Sequence, residues 1–330
     1  MNEATRTTCP YCGVGCGVLV DEDGNVTGDP NHPANQGKLC AKGAALSETL
    51  GLSGRLLHPK IAGREAEWNA ALALVADRFQ TTLAEHGPGS IAFYVSGQLL
   101  TEDYYVVNKL AKGFLGTSNI DTNSRLCMAS SVAGHRRAFG EDLVPGAYED
   151  LETADLVVLV GSNAAWCHPI LFQRLEAARE ARGTRIVVID PRRTATAASA
   201  DLHLAPRAGT DVLIFNGLLA HLAATNAIDT DYISRHTSGF AEALATAKAD
   251  ARYLTTVADD CGLAQRDLAL FYEWFAATEK TVTAYSQGVN QSTAGADKVN
   301  AIINCHLATG RIGKPGMGPF SLTGQPNAMG

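Results

Sequence analysis

The chain has 330 residues, of which 46% are hydrophobic and 18% are charged, and its formal net charge is -7 at pH 7. This length is typical of a globular protein with about two or three domains, and the negative charge gives no general attraction to nucleic acid. No stretch approaches the roughly 20 consecutive apolar residues of a membrane-spanning helix, so we expect neither a nucleic-acid partner nor a membrane partner.

The first eight residues, MNEATRTT, carry no sign of export. They contain no apolar core, no twin arginine and no cleavage signal. We therefore expect a cytoplasmic protein whose cysteines are reduced thiols rather than disulfides.

Four cysteines follow at the spacing C-x2-C-x3-C-x23-C, namely Cys9, Cys12, Cys16 and Cys40. This spacing favours a [4Fe–4S] cluster, because such a cluster needs four thiolates that converge from one side. The glycines between the first three cysteines suit a chain that wraps closely around a cluster. Zinc is the first alternative, although structural zinc ribbons normally offer two C-x-x-C knuckles and this sequence has one.

The predicted elements begin with a small domain over residues 1–55, in which VLVDEDGNVTGD indicates a hairpin with Asp23 and Gly24 in its turn. From Trp68 the sequence has helical periodicity up to His86, followed by a short apolar strand at 91–95 and a helical segment at 101–116. We expect residues 56–125 to form the first part of an α/β domain.

Residues 126–330 contain a clear strand, helix and strand at 154–161, 168–183 and 184–190, which implies a right-handed parallel crossover. Helices at 211–226, 240–249 and 267–278 and a strand at 281–285 complete a doubly wound, Rossmann-like α/β domain. Residues 308–330 are rich in Gly and Pro, which predicts a terminal loop with neither helix nor strand and a domain that is truncated.

Three turns of this domain suit a nucleotide. Ligands bind at the carboxyl ends of parallel strands, where the sequence places Gly161-Ser162-Asn163, then Asp190 with Arg192 and Arg193, and later Gly209-Thr210-Asp211 before an apolar helix. A carboxylate suits a ribose or base edge, and guanidinium groups suit a diphosphate. Each turn alone also fits ordinary strand-to-helix punctuation or a helix cap at Thr210 or Asp211, and the absence of G-x-G-x-x-G disfavours an ordinary NAD site.

Cys127 lies where a loop is predicted to enter a helix, with Arg125 nearby. A helix terminus and positive charge stabilise a thiolate, which binds a metal or acts as a nucleophile; a small buried cysteine is the alternative. Lys42, just after Cys40, is either a surface lysine or a fixed cation between two redox centres. His168 in CHPI is more typical of a helix start than of a metal ligand.

Several segments occur in a fixed order: CPYCGVGC, GKLCAKG, NSRLCMASSVAGHRRAFGED, ADLVVLVGSNAAWCHPILFQR, VVIDPRRTATA, AGTD, QGVNQS and GKPGMGPFSLTGQPNAMG. Together they resemble the molybdenum enzymes that carry bis(molybdopterin guanine dinucleotide), and among these the cytoplasmic assimilatory nitrate reductases. The resemblance covers the whole chain. It implies a [4Fe–4S] cap domain followed by Rossmann-like α/β domains.

The resemblance also implies roles for single residues. Cys9, Cys12, Cys16 and Cys40 would hold the cluster, Lys42 would lie between cluster and pterin, and Cys127 would bind molybdenum. The candidates for binding the cofactor are Gly161, Ser162, Asn163, His168, Asp190, Arg192, Arg193, Gly209, Thr210, Asp211, Gly288, Asn290, Gln291, Gly316, Gln325 and Asn327.

The implied activity is reduction of nitrate to nitrite by oxygen-atom transfer. Electrons would pass through the cluster from an NADH-linked flavoprotein, ferredoxin or flavodoxin. Arg125 would help to attract the anion, and Met128 occupies the position after the metal ligand, where formate dehydrogenases of the same family commonly have a His that manages a proton. Met cannot transfer a proton, so nitrate is favoured over formate.

Other interpretations stay open at this point. They are a formate dehydrogenase, a non-catalytic iron–sulfur subunit that relays electrons or acts as a scaffold, and a nucleotide-binding module with a zinc knuckle. Members of the resembled family continue for several hundred residues, including a β-rich C-terminal domain. We therefore expect these 330 residues alone to bind the cluster, to hold the molybdenum cofactor poorly and to be inactive.

Overall fold

The N-terminal part of the protein is a small antiparallel sheet. The computed structural model describes residues 4–251 and 253–328, apart from the side chain of Arg125. The prediction about export concerns residues 1–8, of which the first three lie outside the described residues. Strands β1 (Thr5–Thr8), β2 (Gly17–Val20) and β3 (Val26–Gly28) pair in the order β1-β2-β3. Gly24 has φ +80° in the predicted β2–β3 turn, and helix α1 (Ala41–Ala44) follows.

The middle of the chain has little buried surface. It contains the pair β4 (Lys60–Ile61) and β5 (Arg64–Glu65), helix α2 (Trp68–His86), strand β6 (Phe93–Val95), helix α3 (Thr101–Asn108) and strand β7 (Ile120–Thr122). Helix α2 has the predicted bounds, and α3 continues as a π-helix over Lys109–Phe114. Strands β6 and β7 form a parallel pair.

The last part of the chain is the Rossmann-like unit. Its elements, in chain order, are α4 (Ser124–Phe139), α5 (Tyr148–Thr153), β8 (Leu156–Val160), α6 (Ala164–Cys167), α7 (Pro169–Arg182), β9 (Arg185–Ile189), α8 (Ala195–Ala198), β10 (Leu202–Leu204), α9 (Asp211–Ala224), α10 (Thr230–His236), α11 (Phe240–Asp250), α12 (Leu254–Cys261), α13 (Gln265–Ala277), β11 (Thr281–Tyr285), α14 (Gln287–Asn290), α15 (Gly295–Ala308) and β12 (Gly318–Ser321).

Five of these strands form one parallel sheet in the order β10-β9-β8-β11-β12. All five residues of β8 and of β11 are buried, as expected for central parallel strands that are covered on both faces. Helices α9, α13 and α15 contribute to the core on one face. Helix α7 and the N-terminal sheet cover the other face, so the predicted doubly wound α/β fold is confirmed.

The predicted terminal loop is partly wrong, because β12 is a buried strand that pairs with β11 in register from Val282 to Tyr285. The Gly and Pro residues of β12 are atypical of a strand, so the sequence did not indicate one. Gly318 has φ +120°, and Pro319 lacks an N–H, which an edge strand tolerates because only one side must pair. The unpredicted helix α15 packs against the same sheet.

Arg174 joins the N-terminal sheet to the Rossmann-like unit. This α7 side chain, 4% exposed, pairs with Glu152 (Nε–Oε1 2.6 Å) and donates from Nη1 to the carbonyls of Pro33 and Ala34 at 2.9 and 3.0 Å. A buried charge needs such partners, since its desolvation is costly. The guanidinium therefore fixes the small sheet on the larger one.

In the part of the chain that the structure describes, no helix combines the length and the apolarity that crossing a membrane requires.

We predict that Arg174→Leu lowers the free energy of unfolding by about 3 kcal/mol, because it leaves two carbonyls, of which that of Ala34 is buried, and Glu152 without their partner. The matched control is Arg182→Leu, since Arg182 pairs with Asp155 at 2.9 Å but the two side chains are 43% and 54% exposed; it should change stability by less than about 0.5 kcal/mol. Urea unfolding measures both. Equal effects of the two substitutions would contradict this account.

His306 predicts a pH dependence. It is fully buried in α15 beside Thr283 (Nε2 to Oγ1 2.8 Å), and burial lowers its pKa to about 3. Between about pH 3 and about pH 6.5 the unfolded chain binds a proton at His306 that the folded chain does not bind. The free energy of unfolding is therefore highest above about pH 6.5 and falls as the solution is acidified.

In His306→Gln the loss of unfolding free energy between about pH 6.5 and about pH 4.5 should shrink by up to about 1.4 kcal/mol per pH unit. The control is His86→Gln, because His86 is 65% exposed. Denaturant unfolding at several pH values measures the slope, and an unchanged slope in His306→Gln would refute the assignment.

Candidate functional site

The site lies where β8 and β11 end side by side. The strand order reverses between them, which creates the crevice in which open α/β sheets bind ligands. Gly161 follows β8 with φ +54°, and Gly288, in α14, donates its N–H to the Gly161 carbonyl at 3.0 Å. A Cβ on Gly161 would lie 2.7 Å from the Cα of Gly288. Only glycine permits this approach of the two backbones.

Asn163 organises the turn after β8. Its carbonyl accepts from the N–H groups of Trp166 and Cys167, which starts α6, and its Oδ1 accepts from Thr196 Oγ1 at 2.9 Å. Ser162 is buried, and its hydroxyl has no partner. The hydrogen bonds of Asn163 therefore fix the conformation of the turn, and the Ser162 hydroxyl is left available to a ligand.

The turn after β9 presents charges to solvent. Asp190 is buried, and its Oδ1 accepts from the Arg192 N–H at 2.8 Å. The Arg192 side chain is 77% exposed, and Arg193 is exposed as well. The Arg192 guanidinium lies beside the Asp190 carboxylate, with Nε 3.9 Å from Oδ1, and Arg193 follows it in the same exposed turn.

The turn at Gly209, Thr210 and Asp211 lacks the side-chain cap that was its alternative interpretation. Gly209 is exposed with φ +94°, and Thr210 precedes α9 without a side-chain hydrogen bond to its first turn. Thr210 Oγ1 donates to the Arg207 carbonyl, and Asp211 Oδ2 lies 2.7 Å from Lys298 Nζ with both side chains largely buried. A buried lysine needs a carboxylate partner, which explains why this oxygen faces the core.

The four N-terminal cysteines lie near one another beside the sheet. Cys9 and Cys16 are buried, and Cys12 and Cys40 are half-buried. Burial raises the pKa of the Cys16 thiol to about 12, with the neighbouring cysteines contributing to this rise. A bound metal would have to displace these protons.

The environment of these thiols suits an iron–sulfur cluster. Burial raises the pKa of Cys9 and Cys12, while backbone hydrogen bonds at Tyr11 and Val14 lower it. Such N–H groups also hydrogen-bond to cluster sulfurs. Among residues 4–251 and 253–328, no three His, Cys, Asp or Glu side chains are grouped closely enough to share one metal ion, whereas each thiolate of a [4Fe–4S] cluster binds its own iron.

Gly13 fixes the cysteine loop to the loop that follows β12. Its N–H donates to the Gly324 carbonyl at 3.1 Å, and a Cβ on Gly13 would overlap the Thr323 carbonyl oxygen. Tyr148 donates its hydroxyl to the Gly13 carbonyl at 3.0 Å. The cysteine loop and the carboxyl edge of the sheet are therefore in direct contact.

Lys42 and His168 extend this contact. Lys42 Nζ donates to the Trp166 carbonyl in α6 at 3.2 Å, and its charge acts on Cys9, Cys12 and His168. His168 Nε2 donates to the Thr323 carbonyl at 2.6 Å, and burial lowers its pKa. His168 also precedes α7, as predicted, and links the loops after β8 and β12.

Cys127 lies in the first turn of α4, half-buried, and its sulfur accepts a hydrogen bond from Gln287 Nε2 at 3.0 Å. Met128 is buried beside it. Arg125 belongs to the same helix, but its side chain lies outside the described part of the structure. The helix start thus brings the predicted thiolate to the crevice between β8 and β11.

Gln287 is the functional side chain that the sequence interpretation missed. It lies in QGVNQS, from which only Gly288, Asn290 and Gln291 were selected. It follows β11 by two residues, so the rule that ligands bind at strand ends would have identified it.

The remaining loop candidates divide into two groups. Asn290 is buried and accepts from Ser131 Oγ at 2.8 Å, and Gln291 is exposed. Asn327 Nδ2 donates to the Leu99 carbonyl at 2.9 Å, near the site. Gly316, in contrast, precedes β12 and donates to Asp150 Oδ1. The structure therefore places Gly316 at the opposite edge of the sheet, away from the other candidates.

Unpartnered polar atoms test whether these loops fit a polar cofactor. Within the described part of the chain, seven buried polar atoms at this edge or at the start of α4 have no hydrogen-bond partner: Ser124 Oγ, Ser162 Oγ, His168 Nδ1, Gln287 Oε1, Asn290 Nδ2, Thr323 Oγ1 and Gln325 Oε1. Each such atom costs about 1–3 kcal/mol if it stays unsatisfied. Their concentration at this edge of the sheet fits a ligand that is rich in donors and acceptors, as a pterin is.

Comparison with known proteins is consistent with this geometry. Residues 55–329 match the model of the molybdopterin oxidoreductase family, and residues 2–51 match the molybdopterin oxidoreductase Fe4S4 domain. The chain belongs to the molybdopterin oxidoreductase family. The predicted [4Fe–4S] cluster and molybdopterin cofactor are thereby confirmed, and the alternative of a zinc knuckle is wrong.

Relatives within the family carry different names. A nitrate reductase of Klebsiella oxytoca is 56% identical over 99% of this chain and 37% of its own length. A periplasmic nitrate reductase of Desulfovibrio desulfuricans is 39% identical over 98% of this chain and 45% of its own. An F420-dependent formate dehydrogenase subunit alpha of Methanocaldococcus jannaschii is 37% identical over 98% and 48%. The chain thus spans less than half of each of these relatives.

The fold also matches a solved structure. Acetylene hydratase from Pelobacter acetylenicus superposes with a TM-score of 0.79 over 93% of this chain and 43% of that protein, at 22% sequence identity. This likeness supports the family's architecture.

We predict that Gly161→Ala lowers the free energy of unfolding by about 3 kcal/mol, because the methyl group meets the Gly288 backbone and alanine is strained at positive φ. Gly183→Ala is the control: Gly183 ends α7 with φ +77° and has open space where a Cβ would lie, so only about 1 kcal/mol of strain is expected. Denaturant unfolding measures both variants. Similar losses would show that the close backbone approach contributes nothing.

Proposed function

We propose that the protein reduces nitrate to nitrite in nitrate assimilation, consuming two electrons and two protons and releasing water. The similarity to the nitrate reductase of Klebsiella oxytoca, which extends over nearly the whole chain, supports this proposal. The observation that carries it is the position of Cys127, whose sulfur lies at the carboxyl edge of the sheet and accepts a hydrogen bond from Gln287.

The residues of the site suggest how the cofactor is held. In the proposal Cys127 is the protein ligand of molybdenum, and the cofactor is bis(molybdopterin guanine dinucleotide). Asp190 and the two exposed arginines that follow it would hold a ribose and a diphosphate, and Ser162, Gln287 and Gln325 would meet the pterin through their unpartnered atoms. When bound, the metal supplies the two electrons and acts as the Lewis acid of the reaction.

The chain offers a route for electrons. Cys9, Cys12, Cys16 and Cys40 are the proposed cluster ligands, and Lys42 joins their loop to α6 at the crevice. A fixed positive charge between two redox centres stabilises the reduced, more negative state. An NADH-linked flavoprotein, ferredoxin or flavodoxin is the proposed donor.

Nitrate is favoured over formate by the surroundings of Cys127. Met128 is buried and apolar, so it offers no group that accepts or donates a proton, and Arg125 is the proposed attractant for the anion. Formate oxidation is the second candidate, because a formate dehydrogenase subunit is among the relatives. A non-catalytic scaffold is disfavoured, since it has no use for a thiol that is positioned by Gln287.

Two further features remain proposals from the sequence. We propose a cytoplasmic location and a division into segments 1–55, 56–125 and 126–330.

We predict that Cys127→Ala abolishes nitrite formation from nitrate when the product of the complete gene is assayed with reduced viologen, because the substitution removes the proposed metal ligand. Cys167→Ala is the matched control, since Cys167 is exposed on α6, and it should retain wild-type activity. Wild-type nitrite formation by Cys127→Ala would refute the assignment. Formate oxidation without nitrite formation by the wild-type enzyme would favour the second candidate.

A further inference from the structure

The orientation of the Gln287 amide follows from the chemistry of Cys127. Gln287 Nε2 lies 3.0 Å from Cys127 Sγ. A sulfur bonded to a metal accepts hydrogen bonds but has no proton to donate, so only the N–H side of the amide suits it. Gln287 Oε1 then faces away from the sulfur, where it is buried without a partner.

Gln287 is held in place by the helix that carries Cys127. It begins the single turn α14, which ends at Asn290. The Asn290 carbonyl accepts from Ser130 Oγ at 2.7 Å, and its Oδ1 accepts from Ser131 Oγ at 2.8 Å. Ser131 follows Cys127 by four residues and therefore lies on the same face of α4. Both ends of α14 are thus hydrogen-bonded to the same face of α4, which restricts the orientation of the Gln287 amide.

We propose that Gln287 is a positioning residue for Cys127. Its N–H···S hydrogen bond fixes the direction of the sulfur and withdraws electron density from it, which favours the reduced metal; groups beyond the direct ligands commonly tune metal centres in this way. This inference rests on the proposed role of Cys127 as the molybdenum ligand. It does not depend on whether nitrate or formate is the substrate.

The unpartnered oxygen extends the inference to specificity. Gln287 Oε1 is an acceptor, so its partner must be a donor such as a pterin N–H or a water molecule. Nitrate carries only acceptor oxygens and a negative charge, so it gains nothing from this atom. Gln287 therefore acts through the sulfur and the cofactor, and its loss should alter kcat rather than the KM for nitrate.

The test uses the complete holoenzyme with Gln287→Glu and Gln287→Met. Glutamate keeps the shape but replaces the donor with a negative oxygen, and methionine removes the amide. Gln265→Glu is the matched control, because Gln265 is exposed at the start of α13. For each protein we would measure the molybdenum content, the Mo(V) electron paramagnetic resonance spectrum, the midpoint potential of the metal, kcat and KM.

We expect Gln287→Glu to keep its molybdenum, to shift the Mo(V) spectrum, to lower the midpoint potential and to reduce kcat about tenfold with little change in KM. Gln287→Met should shift the spectrum and the potential in the same sense by less, and Gln265→Glu should match the wild type. Spectra and potentials equal to the wild type in both Gln287 variants, at equal molybdenum content, would overturn the inference.

Two outcomes separate this inference from the proposed function. If the wild-type enzyme oxidises formate and makes no nitrite, but the Gln287 variants still shift the spectrum and the potential, the inference stands and the substrate is wrong. If Cys127→Ala leaves the Mo(V) spectrum unchanged, Cys127 is not the ligand, and the inference falls together with that assignment.

Discussion

The close approach of the Gly161 and Gly288 backbones is the constraint on which the rest of the site depends. It brings the ends of β8 and β11 together without any intervening side chain, so that α14 lies against the start of α4. Without this approach Gln287 would not reach Cys127, and Asn290 would not reach Ser131. A contact between two residues that have no side chains thus determines where the polar side chains of the site lie.

A second constraint joins the cysteine loop to the same edge. Gly13 packs against the Thr323 carbonyl, and Arg174 of α7 donates a hydrogen bond to the Pro33 carbonyl in the N-terminal domain. The cluster loop is therefore placed by the sheet rather than by the few strands of its own domain. Because the small sheet shares its apolar core with β8 and α7, the two parts form a single packed body around the proposed electron route.

The sequence predicted the parts of the fold that depend on local pattern. The apolar run at β8, the αL glycine that ends α7 and the periodicity of α2 are all local signals, and the structure agrees with each of them. Strand β12 was missed because its Gly and Pro residues obscure a strand that only pairing with β11 reveals. The alternative of a helix cap at Asp211 does not hold, because a residue distant in sequence, Lys298, pairs with its carboxylate.

The candidate site shows the same division. Cys127, Asn163 and Asp190 were selected as candidates because strand and helix ends can be recognised in sequence. Gly316 and Gln325 lie close in sequence, yet a strand separates them, and a parallel strand carries its two flanking loops to opposite edges of the sheet. Gln287 follows β11 by two residues, but what distinguishes it from its neighbours in QGVNQS is a contact with Cys127, 160 positions earlier, which the sequence does not show.

The loop after β12 contacts both the cysteine loop and the crevice that contains Cys127. Thr323 contacts Gly13 of the cluster loop and His168 beside the crevice, and Gln325 lies next to Gly97 and Ser124 at the start of α4. A substitution at Thr323 would therefore disturb both the cysteine loop and the crevice. Any change in turnover caused by such a substitution would have to be divided between chemistry at the metal and the supply of electrons to it.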